Sequence, residues 1–341
     1  PLDYYVISDT GSDDNTADII KQFFDEKGIK GEIHHDKWVN FAHNRNCALQ
    51  HAQGKTDYVL IFDADDRFEG TFELPEELTS DRYYFRMANS VTVSNVYFRT
   101  LMFRNDGSFY WRGVLHEFVE QRKKTVVEQK IFGDYYVISG RFGARSNNSQ
   151  KYLQDALALE KAFYSPEDED LKDRYAFYTA QSYRDADMYE KAIEWYAIRA
   201  NLGGWYEEVY HSLLQISLLK IELNAPLDEI QRLLLATYEY RPQRAESLYH
   251  LARQLRYHNK AKQAYIYATV AANIPLNKDI LFVDHSVYEW KAKEELAMSA
   301  NSVGNYQLCH DLCVELLFNP AVPESNRKLL LDNLMFAKEH L

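Results

Sequence analysis

Three carboxylates follow directly on an apolar run in the segment IFDADDRFEG, at residues 61–70. The run predicts a strand, and alternation along extended backbone points Asp63 and Asp65 in the same direction. Neighbouring carboxylates repel one another unless a divalent cation offsets their charge. One of the two is therefore expected to hold a divalent cation, and the other a ribose or a metal-bound water. The alternative is a solvated acidic loop whose carboxylates cap a helix.

Two earlier segments carry polar residues of the kind that bind nucleotides. In ISDTGSDDNTADII (7–20), small and polar residues follow a strand-like run, which lets a nucleotide approach the backbone at the start of a helix. A plain strand-to-helix turn explains this segment equally well. In NFAHNRNCAL (40–49), Arg45 lies near a predicted helix start, and a guanidinium suits a base edge or diphosphate oxygens.

Together, the DTGSDDNT turn, the NFAHNRN helix and the DAD strand end resemble the inverting glycosyltransferases of family 2, which have the GT-A fold. The segment WRGVLHEF (111–118) strengthens this resemblance. It is similar to the W-x-G-x-x-H-E segment of members related to lipopolysaccharide-core glucosyltransferases and to peptide S-glycosyltransferases with repeat domains. The stretch at 145–163 resembles the helical extension of such fusions.

The resemblance implies a set of residues that bind the donor nucleotide. Asp9 and Ser12 would contact the nucleoside, Arg45 the base or the phosphates, and Asp63 the nucleotide together with the metal. Thr10 stands where many members carry a second Asp, which is a departure from the family pattern.

The resemblance also implies a metal site and a catalytic base. Asp65 and Asp63 would hold Mn²⁺ or Mg²⁺, with Asp65 the direct ligand, and His116 would complete this site or contact the diphosphate. Glu117 would be the general base that removes the acceptor proton. The alternative for His116 and Glu117 is a buried pair in a β-hairpin.

The elements that must position these residues form two predicted domains. Strand and helix signals alternate at the front, and the first two helices end near Gly28 and Gly54. Residues 80–140 are strand-rich without clear crossover helices. With the resemblance, this predicts an α/β GT-A nucleotide-diphospho-sugar transferase domain at residues 1–145, with a mixed, mostly parallel sheet. The first strand of the GT-A fold is expected to precede Pro1 and so to be missing from the sequence as given.

From about residue 146 onward, only helices are expected. Apolar residues recur at helical spacing, and Ala180, Ala192, Ala252 and Ala264 recur as small packing residues in units of about 34 residues. This pattern predicts an all-α domain at residues 146–341 that is similar to tetratricopeptide (TPR) repeats. Cys309 and Cys313, one helical turn apart, are expected to lie in its core rather than in a metal site.

Bulk composition excludes some partners. A net charge of −12 argues against a nucleic-acid partner, and no apolar run approaches the roughly 20 residues that span a bilayer. Three cysteines at irregular spacing fit a reducing compartment, which indicates a cytoplasmic protein.

The main functional hypothesis follows from the resemblance. The chain would be an inverting, metal-dependent glycosyltransferase that moves a sugar, glucose being the first candidate, from a UDP-sugar to a hydroxyl or thiol of a glycan, peptide or protein. The repeat domain would hold the acceptor, because helical repeats offer extended concave surfaces. Two alternatives remain: a catalytically inactive, repeat-based interaction protein, and a nucleotidyltransferase.

Overall fold

The computed structural model describes residues 2–88, 96–140 and 149–341. The chain folds as two compact units, Pro1–Leu171 and Lys172–Leu341. The predicted domain boundary between residues 145 and 146 lies outside the described residues. The first helix after it, Lys151–Phe163, belongs to the first unit.

The first unit is an α/β structure that ends in a helix and a 3₁₀ turn, Pro166–Leu171. Its helices are α1 (Thr16–Glu26), α2 (Phe41–Ala52) and α3 (Lys151–Phe163). Its strands are β1 (Tyr4–Asp9), β2 (Lys30–His35), β3 (Tyr58–Leu60), β4 (Arg67–Gly70), β5 (Arg82–Ala88), β6 (Val96–Arg104), β7 (Phe109–Arg112), β8 (Phe118–Gln121), β9 (Glu128–Lys130) and β10 (Tyr135–Ile138).

These strands form three sheets in the described part of the unit. The largest has the order β3-β6-β5-β10-β4, with β9 added beside β5, while β1 pairs with β2 and β7 with β8. The β1–β2, β5–β10 and β5–β9 pairs are parallel, and the other four described pairs are antiparallel. The predicted mixed sheet is confirmed, although parallel pairs are not its majority. The reason is that residues 80–140 contain no crossover helix in their described part, so consecutive strands there turn back on one another.

Residues 61–66, which we call the acidic segment, connect the two edges of the largest sheet. Because β3 and β4 are opposite edge strands, residues 61–66 must cross the sheet past the strands between them. The backbone N–H of Ile61 still donates to the carbonyl of Leu101 on β6, at 2.7 Å. The register of β4 on β10 pairs Arg67 with Ile138, which brings the end of the crossing segment to the end of β10.

The core of the first unit lies on one face of β5 and β10. Side chains along β5 alternate between buried and partly exposed positions, as a strand with one covered face requires. Tyr83, Phe85, Met87, Tyr135 and Val137 are each at most 1% exposed. This cluster fixes β5 and β10, two of the three strands that the acidic segment crosses.

The second unit is all α-helical, as predicted. Its helices are α4 (Lys172–Asp185), α5 (Tyr189–Leu202), α6 (Tyr206–Glu222), α7 (Leu227–Tyr240), α8 (Glu246–Tyr257), α9 (Ala261–Asn273), α10 (Ala292–Ser302), α11 (Tyr306–Leu317) and α12 (Glu324–Glu339), with a π-helical turn at Val287–Lys291 before α10.

Each of these helices packs against the next along the chain, so the unit is a series of helical hairpins. The four alanines predicted as small packing residues, Ala180, Ala192, Ala252 and Ala264, are all fully buried. Small side chains at these positions let neighbouring helices approach closely. Cys309 and Cys313 are also fully buried, as predicted.

The repeat length varies along this unit. Helix α6 begins at Tyr206, 34 residues after α4 begins at Lys172, in agreement with the predicted period. Helix α10 begins 46 residues after α8, because the segment 274–291 intervenes between α9 and α10. We call residues 274–286 of that segment the α9–α10 loop.

Candidate active site

Arg45 brings three of the sequence motifs together. Its Nη2 donates to Asp63 Oδ1 at 2.6 Å, and its Nε donates to Glu117 Oε1 at 2.7 Å. The guanidinium also lies over the ring of Trp111, 4.8 Å from the ring centre. The helix, the strand end and the W-x-G-x-x-H-E segment therefore meet at one side chain.

Helix α2 is built to hold Arg45 in place. Asn40 caps it, with Oδ1 accepting from the backbone N–H of His43 at 2.8 Å. The buried amide of Asn44 bonds to the backbone of Val39 and Lys37. Asn46 both accepts from and donates to the backbone of Trp111, at 2.8 and 2.9 Å. Asn40 thus caps the first turn of the helix, while Asn44 and Asn46 join the helix to residues outside it.

The β7–β8 hairpin presents Glu117 and His116 at its turn. Glu117 is partly buried, and no described residue donates a hydrogen bond to its Oε2. His116 is exposed and has a positive φ of 52°, an uncommon backbone conformation for a residue other than glycine. The backbone N–H of Phe41 donates to the carbonyl of Val114 at 3.4 Å, which joins this turn to the start of α2.

Asp63 has a second cationic neighbour that the sequence analysis did not identify. Arg99 on β6 lies with its Nη2 3.5 Å from Asp63 Oδ2. The register of β3 on β6 brings the two side chains together, since the strands run antiparallel and Asp63 follows Ile61, whose N–H still bonds to Leu101 of β6. Asp63 is therefore engaged by two guanidiniums.

Asp65 and Asp66 dock on the end of β10. Ser139 Oγ donates to Asp66 Oδ1 at 2.8 Å, while Asp66 Oδ2 is buried and has no hydrogen-bond partner among the described residues. A side chain at Gly140 would collide with Asp65, because a Cβ there would lie 2.2 Å from the carbonyl oxygen of Asp65. Burial raises the pKa of Asp66, and the charges of Asp63 and Asp65 add to the rise.

Asp9 and Ser12 form a closed turn at the end of β1. Asp9 Oδ1 accepts from the backbone N–H and the hydroxyl of Ser12, at 3.0 and 2.7 Å, and these bonds lower the pKa of Asp9. Gly11 has a φ of +111°, which glycine adopts readily. Among the described residues, no hydrogen bond or ion pair joins this turn to Arg45. Its predicted contact with a nucleoside stays a prediction.

A polar network that sequence reasoning missed anchors α2 against β1 and β2. Ser8 Oγ donates to Asp36 Oδ2 at 2.6 Å, and His51 Nε2 lies 3.1 Å from the same oxygen. The rings of His34 and His51 stack at 3.7 Å. Bonding to Ser8, and then to His51, lowers the pKa of Asp36. Two histidines on separate elements, one on β2 and one on α2, give no local sequence signal of this contact.

The donor chemistry of this region fits a divalent cation at Asp65. No hydrogen bond or ion pair joins the Asp65 carboxylate to another described residue, so it is available as a hard oxygen ligand. Within residues 2–88, 96–140 and 149–341, no three His, Cys, Asp or Glu side chains are arranged to hold a metal by themselves. A cation bound at Asp65 would therefore need further oxygen atoms from a bound molecule, such as those of a diphosphate.

The motifs at the front of the chain lie in a segment that matches a known protein family. Residues 2–79 match Glycosyl transferase family 2. This confirms the resemblance for the segment that carries Asp9, Ser12, Arg45, Asp63 and Asp65. The match supports glycosyl transfer as the general function of this region, with a nucleotide-sugar donor.

Several solved structures are also similar to part of the chain. BtubC from P. vanneervenii is 11% identical with a TM-score of 0.43, covering 58% of this chain and 84% of that one. A putative kinesin light chain from Podospora anserina with TPR-like repeats is 17% identical with a TM-score of 0.36, covering 49% and 85%. A thermophilic TPR protein of Thermus thermophilus is 11% identical with a TM-score of 0.34, covering 54% and 91%.

Comparison with curated proteins gives no match. Across the described parts of the chain, no helix combines the length and the apolar character that crossing a membrane requires.

Proposed function

We propose that the chain is an inverting, metal-dependent glycosyltransferase that uses a UDP-sugar, with glucose as the first candidate sugar. The observation that carries the proposal is the convergence of Arg45, Asp63 and Glu117 in and beside a region that matches family 2. A hydroxyl or thiol of a glycan, peptide or protein is the proposed acceptor. The helical unit would hold it, and a cytoplasmic location is proposed on the cysteine content.

Glu117 is proposed to act as the general base. As the acceptor oxygen or sulfur attacks the anomeric carbon, its proton passes to Glu117 Oε2, which accepts no bond from the described residues. The bond between the anomeric carbon and the diphosphate oxygen breaks, and UDP leaves with the electron pair. Attack opposite the leaving group inverts the anomeric configuration. The bond from Arg45 to Oε1 fixes the orientation of the carboxylate during this step.

Arg45 and Arg99 are proposed to stabilise the negative charge that develops on the diphosphate. Both guanidiniums contact Asp63, so their positions are fixed before the donor binds. The proposed Mn²⁺ or Mg²⁺ would be held directly by Asp65, with Asp63 and His116 as further candidate ligands. When bound, it would neutralise the diphosphate as a Lewis acid. Asp9 and Ser12 are the proposed nucleoside contacts.

Calorimetry with UDP tests the metal assignment. Wild-type protein should bind UDP more tightly with Mn²⁺ than without it. Asp65→Ala should weaken the Mn²⁺-dependent binding at least about tenfold, which corresponds to about 1.4 kcal/mol, and should leave the melting temperature close to that of the wild type. Glu69→Ala is the matched control, because Glu69 is a partly exposed acidic residue on β4 that pairs with Arg67. An equal response to Mn²⁺ in wild type and Asp65→Ala would remove Asp65 from the site.

A further inference from the structure

A polar groove lies beside α2, apart from the Arg45 cluster. Its volume is about 410 Å³, and it shares no lining residue with the proposed donor, metal or base positions. We call it the α2 groove. It is lined by Asn46, Leu49, Gln50, Gln53, Phe103, Arg104, Asn105, Gly107, Phe109, Tyr110 and Arg122.

Two asparagines hold the shape of the groove. Asn46 uses its side-chain amide on the backbone of Trp111, as described above. Asn105 Nδ2 donates to the carbonyls of Ala52 and Thr56, at 2.6 and 3.0 Å, which ties the end of β6 to the end of α2 and to the segment before β3. These bonds fix both walls, so the groove does not depend on a ligand for its form.

Other polar groups of the groove are not used within the described chain. The side-chain amides of Gln50 and Gln53 make no hydrogen bond to a described residue, and both residues are exposed. The guanidinium of Arg122 has no acidic partner there and lies over the ring of Tyr110, 4.2 Å from its centre. A stacked guanidinium is held in one orientation while its donors stay available.

The groove is positively charged in an acidic protein. None of its lining residues is Asp or Glu, although the whole chain has a net charge of −12. Of its two arginines, Arg104 pairs with Asp81 at 3.3 Å, which leaves Arg122 as the uncompensated charge among the described lining residues. Asp106, on the neighbouring turn, is paired with Lys123 at 2.7 Å. An anion entering the groove would thus meet one available guanidinium and no carboxylate on its walls.

We propose that the α2 groove is a second binding site, for an anionic group on a hydroxyl-rich molecule such as a phosphorylated or carboxylated saccharide. Arg122 would bind the phosphate or carboxylate with two parallel hydrogen bonds. Gln50 and Gln53 would bind hydroxyl groups, since an amide both donates and accepts. The proposal goes beyond the proposed function and does not depend on it.

Calorimetry on the full chain tests the proposal with three probes: glucose 6-phosphate, glucuronate and neutral glucose. At least one of the anions should bind about tenfold or more tightly than glucose, since hydrogen bonds to a charged group are stronger than those between neutral groups. Comparing the two anions shows whether the site prefers phosphate or carboxylate. Arg122→Gln should reduce the anion's affinity to that of glucose. Arg232→Gln, which removes an exposed arginine from α7, should leave it unchanged.

Two further arms separate this groove from the proposed donor site. Saturating UDP with Mn²⁺ should leave the anion's affinity unchanged. Because UDP is itself a phosphorylated sugar derivative, displacement by UDP overturns the proposal when Arg122→Gln binds UDP as tightly as the wild type does, since that result places the anion at Arg45. Displacement together with weaker UDP binding by Arg122→Gln would show that UDP enters the groove, which supports an anion site there. If Arg122→Gln does not fold, Gln53→Leu on the opposite wall should weaken binding instead. Equal affinity in both groove variants and wild type would also overturn it, as would no binding of either anion up to about 10 mM, roughly ten times a Kd of about 1 mM.

Discussion

Arg45 is the residue on which the arrangement of the candidate site depends. One guanidinium is held by the carboxylates of Asp63 and Glu117 and by the ring of Trp111. Only an arginine offers donors in a planar fork that reaches two carboxylates at once. The same contacts fix Glu117, so the proposed base is oriented before a substrate arrives.

Ser139 provides the one hydrogen bond that Asp66 accepts from a described side chain. Ser139→Ala would leave both oxygens of Asp66 without a described partner in a partly buried position. We expect the free energy of unfolding to fall by about 1–3 kcal/mol, as measured by urea denaturation. The Mn²⁺-dependent affinity for UDP should fall as well, because Asp65 is next to the released residue. Ser139→Thr keeps the hydroxyl and should retain both properties. Wild-type stability and affinity in Ser139→Ala would show that this hydrogen bond does not hold Asp65 and Asp66 in position.

At the scale of elements, local motifs could be predicted and long-range neighbours could not. The strand that leads to Asp63, the helix that carries Arg45 and the hairpin that carries Glu117 each depend on a short stretch of sequence, and all three are present. Arg99 and Ser139 reach the acidic segment only through the order and register of β6 and β10. Neither has a motif of its own, so sequence alone gave no reason to select them.

The α9–α10 loop buries a histidine of α6. Phe282 of this loop covers His211 on α6, with the ring centres 4.6 Å apart. His211 is only 6% exposed, and burial, with the nearby charges of Arg184 and Arg244, lowers its pKa to about 3. The folded state therefore keeps His211 neutral, whereas the unfolded state binds a proton below its ordinary pKa of 6.5.

The sign of the pH dependence follows from this difference. The stability from a neutral His211 is complete above pH 6.5 and is lost as the pH falls from 6.5 towards 3. His211→Phe, which keeps an aromatic ring and removes the titration, should flatten the fall in melting temperature between about pH 7 and 5. His258→Phe, at an exposed histidine on α8's C-terminal end, is the control and should keep the wild-type slope. An unchanged slope in His211→Phe would mean that folding does not change the protonation of this histidine between about pH 7 and 5.

At the scale of the whole molecule, the chain combines an α/β unit that matches family 2 over residues 2–79 with a unit of helical hairpins. The sequence predicted this order because the apolar period changes from that of strands to that of helices. The extent of each unit is harder to predict, since α3 has a helical pattern like that of α4 yet belongs to the first unit.

The unit boundary gives a prediction about fragments. Residues 172–341 should fold alone, with a helical circular dichroism spectrum and a cooperative thermal transition, because each hairpin packs mainly on its neighbours. Adding α3 in a fragment of residues 149–341 should not raise the melting temperature. A marked rise would assign α3 to the helical unit, and a random-coil spectrum for 172–341 would show that this unit does not fold independently.

Glu117 is proposed to remove the acceptor proton in a glycosyl transfer, and the rate of UDP release from UDP-sugars measures this step. Water serves as the acceptor, with UDP-glucose measured first and UDP-galactose beside it, in the presence of Mn²⁺. Glu117→Gln keeps the shape of the side chain and removes its basicity, so UDP release should fall by about 10²- to 10⁴-fold while the affinity for UDP stays nearly intact. Glu120→Gln, on the same hairpin, should keep the wild-type rate. Release of UDP by Glu117→Gln at the wild-type rate would show that Glu117 is not the general base.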